Sequence, residues 1–146
     1  MLTVNRFLVF FLVLFSISTS QAADHDSFWP GADYDPSIPT VDSVLEYSPG
    51  DKITNHADML RYFKALEQAA PDRLKIFNYG KSWQGRQLIY VVIAKPENMM
   101  RLPDIQAGMQ VLSDPRVTNK AAADELIKDL PSITWLAYSV HGNEIS

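Results

Sequence analysis

The sequence predicts an α/β fold, part of an α/β/α sandwich built on a mixed β-sheet. Three observations carry that expectation. A capped amphipathic stretch begins at Thr54-Asn55. Two β-rich runs, 74–80 and 87–94, are separated by a short polar stretch. A long helical region, 97–130, then delivers the chain into a further run of strand composition, 133–140. Largely apolar strands interleaved with helices bury their faces against helical layers, which is what a sandwich supplies.

Taken in order, residues 1–22 read as a signal peptide. Arg6 precedes a twelve-residue apolar run, Phe7 to Ser18, too short to span a bilayer comfortably. Ser20 and Ala22 place small residues at the −3 and −1 positions for cleavage before Ala23. The protein is therefore expected to be exported, periplasmic or extracellular, with no stable membrane association after cleavage. Residues 23–51 hold Pro30, Pro36, Pro39 and Pro49 among acidic and aromatic residues, without a period of 2 or 3.6, and read as an extended lead-in. Residues 52–146 form the folded domain.

Within that domain, Met59, Tyr62, Phe63 and Leu66 fall on one helical face and Pro71 ends the segment, giving a helix over about 55–69. His56 lies in its first turn, where it reads as a solvent-exposed histidine rather than a ligand. The runs 74–80 and 87–94 pair as an antiparallel hairpin, with Gly85 providing the backbone freedom the turn demands. The second run is almost continuously apolar, as in a strand covered on both faces. Region 97–130 carries Leu102, Ile105, Met109 and Leu112 on one face, breaks near Ser113-Asp114-Pro115, and resumes at 121–130. The methionines at 59, 99, 100 and 109 follow helix faces and read as gap-filling core or interface residues, not a metal-binding array. After Pro131, Ile133 to Val140 supplies the third strand and ends at His141-Gly142-Asn143-Glu144.

Composition narrows the function. The 146 residues carry a formal net charge of −4, and are 47% hydrophobic and 11% aromatic. That is too apolar for disorder. Without residues 1–22, 12 Lys and Arg face 17 Asp and Glu, and the basic residues are scattered singly. Nucleic acid is excluded as a partner, because phosphate neutralisation needs clustered cations. With no cysteine there is no disulfide, thiol nucleophile, cysteine-ligated zinc or iron–sulfur cluster. A metal site would have to be built from His, Asp and Glu, and the chain has only His25, His56 and His141.

His141 and Glu144, two residues apart where a strand stops, can turn toward one point, with Gly142 easing the turn between them. Imidazole nitrogen and carboxylate oxygen are good zinc ligands. A metal held there acidifies bound water and polarises a carbonyl. The bare spacing also occurs by chance, so an ordinary surface His and Glu stands beside the metal pair.

Context adds to this. The turn Gly80, Ser82, Gly85 and Arg86, between two strands and followed later by a hydrophobic run ending in HGNE, resembles the start of the M14 family of zinc carboxypeptidases. Gln84 stands where that family frequently has an acid. The resemblance runs from about Asn55 to Ser146, and the stretch around Leu112-Ser113-Asp114-Pro115-Arg116 looks like a large exported bacterial branch. It implies Zn²⁺ held by His141 and Glu144, a peptide or protein substrate, and hydrolysis of peptide bonds. Asn143 stands where digestive-type members carry a substrate-binding arginine. HGNE is also similar to the motif of related amidases and deacylases acting on cell-wall peptides or acylated amino acids, so that activity is kept as the alternative. A non-catalytic exported binding domain is the third. Arg86 reads as a turn residue rather than a carboxylate clamp. The family's third ligand (a histidine), its carboxylate-binding arginines and its general-base glutamate all follow HxxE. The expectation is therefore that the chain is the N-terminal part of a longer enzyme, incomplete after its third strand, unstable and weak in zinc binding by itself.

Overall fold

In a computed structural model describing residues 31–138, one two-stranded antiparallel sheet is set among five helices, a mixed α/β arrangement. The chain's contacts divide it between Asp33 and Tyr34, and the elements described here belong to the unit that begins at Tyr34. They run α1 (Val41–Leu45), α2 (His56–Ala69), β1 (Leu74–Lys81), β2 (Gln87–Ile93), α3 (Pro96–Met100), α4 (Leu102–Ser113) and α5 (Lys120–Asp129).

Helix α2 starts where its cap chemistry dictates. Asn55 is extended, and its side-chain oxygen accepts from the Asp58 backbone N–H at 2.9 Å, satisfying one of the donors a helix start leaves open. Pro71 stops it, and the chain turns at once into β1, with the Leu74 and Arg73 N–H groups donating back to Ala70. The same device begins α5, where the Asn119 side chain accepts from Ala122 N–H at 3.0 Å.

Helix α1 lies inside the segment expected to be an extended lead-in, and corrects that expectation. Five residues are too few to show a helical period, so the signal is local: Thr40 Oγ1 accepts from Ser43 N–H, and Glu46 closes the turn in the left-handed conformation at φ 62°. Leu45 is buried, while Tyr62 on α2 donates its hydroxyl to the Pro39 carbonyl at 3.3 Å. Burial, with the Asp42 charge adding to it, raises the Tyr62 phenol above its usual range.

The hairpin pairs as expected, with Leu74 opposite Ile93, Ile76 opposite Val91 and Phe77 opposite Tyr90. A bulge at Tyr79 shifts the register before Gly80, whose N–H is taken by the Asn78 side chain at 2.9 Å. Tyr79 and Phe77 both lean on Tyr90, the latter stacked at 4.9 Å between centroids. The outer edge of β1 is tied to α2: Glu67 Oε1 accepts the Ile76 N–H at 2.8 Å. An acceptor from a helix thus does for one peptide group what a neighbouring strand would do.

Two expectations about the strands fail. Leu88 to Val92 are half-buried and Ile93 is exposed, so β2 is not covered on both faces; α2 lies against the hairpin through β1, and no second helical layer covers it among the described residues. Residues 131–138 form no strand, because no strand among the described residues pairs with them, and Trp135 stays 75% exposed. Strand composition without a ladder leaves only exposed coil. The described sheet is accordingly antiparallel throughout rather than mixed.

The helical region divides as the sequence indicates, with α4 ending at Ser113 and α5 starting after Asn119. Leu130 folds back over Gly108, where a methyl group would come within 2.9 Å of its side chain, and Arg101 clasps the end of α5 through the Asp129 carboxylate and carbonyl at 3.0 and 2.8 Å. Between α4 and α5, Arg116 holds Asp114 by two side-chain hydrogen bonds, which keeps that carboxyl below its ordinary range. Among the described residues, Leu45, Ala70, Leu74 and Ile105 are the buried apolar ones. No described helix is long and apolar enough to cross a membrane.

Candidate functional site

The turn joining β1 to β2 contains three of the residues that prompted the family resemblance, Ser82, Gly85 and Arg86, and its geometry explains the serine and the glycine. Gly85 donates to the Ser82 carbonyl at 2.9 Å, and Ser82 donates its own N–H to the Arg86 carbonyl at 2.8 Å. The Ser82 hydroxyl accepts from Arg86 N–H at 3.1 Å, a third bond across the same tip. Gly85 lies at φ +77°, a conformation that costs any residue with a Cβ. Ser82 and Gly85 therefore shape and close the turn, and it is the backbone of Arg86, not its guanidinium, that makes these bonds. Trp83, at the apex, is fully exposed.

His56 is more than an exposed residue at a helix start. The residue is half-buried, and its Nε2 lies 2.8 Å from the Gln87 carbonyl oxygen. A carbonyl can only accept, so Nε2 carries the proton and donates. This ties the first turn of α2 to the first residue of β2, across 31 positions of sequence. Metal coordination through Nε2 would require breaking that bond. Spacing alone gave no sign of it, since the partner is a backbone carbonyl.

The predicted ligands His141 and Glu144 lie outside the described residues, as do the residues of the predicted signal peptide. Their donor set, one imidazole and one carboxylate, fits zinc by its chemistry. Among the described residues no group of three or more His, Asp or Glu side chains is disposed to hold a metal ion. A depression of about 250 Å³ between Pro71, Asp72, Lys75, Pro96, Met99 and Met100 is mainly apolar and contains no imidazole. It offers one carboxylate and one ammonium at the junction of the α2–β1 turn with α3, without the paired acids or activated nucleophile that catalysis would need.

Comparison with known proteins adds no relative: no family model, no curated protein and no solved structure matches the chain.

Proposed function

We propose that the protein is an exported, zinc-dependent metallocarboxypeptidase that hydrolyses peptide bonds, with His141 and Glu144 as its first pair of metal ligands. The observation that carries the proposal is the order of a capped helix, a hairpin closed through Ser82, Gly85 and Arg86, and HGNE at the end of an apolar run. Any one of these is common; their succession in one chain is not. A bound zinc would acidify water and polarise the scissile carbonyl. The chain's own contribution would be an imidazole and a carboxylate, from His141 and Glu144. On this proposal the full architecture is an α/β/α sandwich with a mixed sheet.

Asn143 favours a second activity, zinc-dependent amidase or deacylase action on cell-wall peptides or acylated amino acids, because it replaces a side chain that could bind a terminal carboxylate. Zinc content and hydrolysis of peptides with free and with amidated C-termini, each with and without chelator, separate the two. Carboxypeptidase action requires the free terminus, whereas amidase action tolerates its loss. In the full-length protein, His141→Ala should lower both zinc content and hydrolysis at least tenfold, the scale on which loss of groups supporting a metal site is felt. Unchanged zinc and unchanged turnover in that variant would defeat the ligand assignment.

A further inference from the structure

We draw no further inference here: the strongest candidate, the exposed aromatic and apolar surface of the β1–β2 hairpin from Trp83 at its tip to Tyr79 and Ile93, carries nothing because nothing in the structure shows what covers it.

Discussion

The hairpin and the segment 131–138 have the same kind of composition and opposite fates. Both are rich in β-branched and aromatic residues, yet Leu74–Lys81 and Gln87–Ile93 form a ladder while Ile133 to Tyr138 lie unpaired and exposed. The difference is not propensity. The hairpin brings its partner along, six residues away, with a turn that Gly85 and Ser82 close from within. It also has α2 beside it, whose Glu67 takes a peptide N–H from the edge of β1. The segment 131–138 has neither a local partner nor a covering helix among the described residues. Strand propensity reports that a residue suits a pleated, half-buried surface; it does not supply that surface.

The comparison is broken most directly at Leu74, which is 5% exposed and lies where α2, β1 and the turn at Pro71 meet. Leu74→Ala should cost about 2–5 kcal/mol in urea denaturation, the range for truncating a buried leucine. Leu136→Ala, a truncation of the same side chain in the unpaired segment, should stay within about 0.5 kcal/mol. Equal losses would mean that 131–138 is packed in solution and that the contrast is false.

Next in size is the tie between helix and strand edge. Glu67→Ala removes the acceptor for Ile76 N–H in a half-buried position and should cost about 1–3 kcal/mol, because the donor loses its partner. Glu67→Gln keeps an oxygen in place and should recover most of that loss. If glutamine is no better than alanine, the carboxylate acts through charge and not as an edge acceptor. The turn itself is tested by Gly85→Ala, which places a Cβ at φ +77° and should cost about 1–2 kcal/mol. Space is not the issue there, since no heavy atom lies within 4 Å of such a Cβ; the whole effect is conformational.

What the sequence disclosed follows the range of the interactions concerned. Helix α2 was expected over about 55–69 and spans 56–69, because Asn55 and Pro71 act within a few bonds of the ends they define. The hairpin and the break after Ser113 were legible for the same reason. Helix α1 was not, since its stability lies in two caps and in packing beyond any period that five residues can display. Nor was the bond from His56 to the Gln87 carbonyl, which depends on bringing α2 against β2. Of the candidate site, the pair His141 and Glu144 rests on sequence spacing and resemblance alone and lies outside the described residues. Ligands and bases that join such a pair from distant parts of a chain have no spacing to announce them, and only folding reveals them.

The smallest expected effect concerns how the segment before α1 is held to the hairpin's base. The Asp35 carboxylate accepts from the Ser37 hydroxyl at 2.6 Å and from its backbone N–H at 2.9 Å, and faces Arg73, one residue before β1, at 3.3 Å. The Ser37 bonds, assisted by Arg73, hold the carboxyl below the ordinary aspartate range. A carboxyl depressed by folding contributes stability above its unfolded pKa, and that contribution is lost as pH falls through the folded one. The contribution of Asp35 should therefore be present at neutral pH and vanish only in acid below about pH 4. Because the group is exposed, the gain is small and screened by salt. Ser37→Ala removes the hydroxyl donor, and should move the Asp35 carboxyl carbon's NMR titration toward the ordinary aspartate value, whereas Arg73→Lys, which keeps the charge, should move it less. The opposite order would make Arg73 the principal restraint, so that the segment is held by charge at the base of β1 rather than by its own local turn.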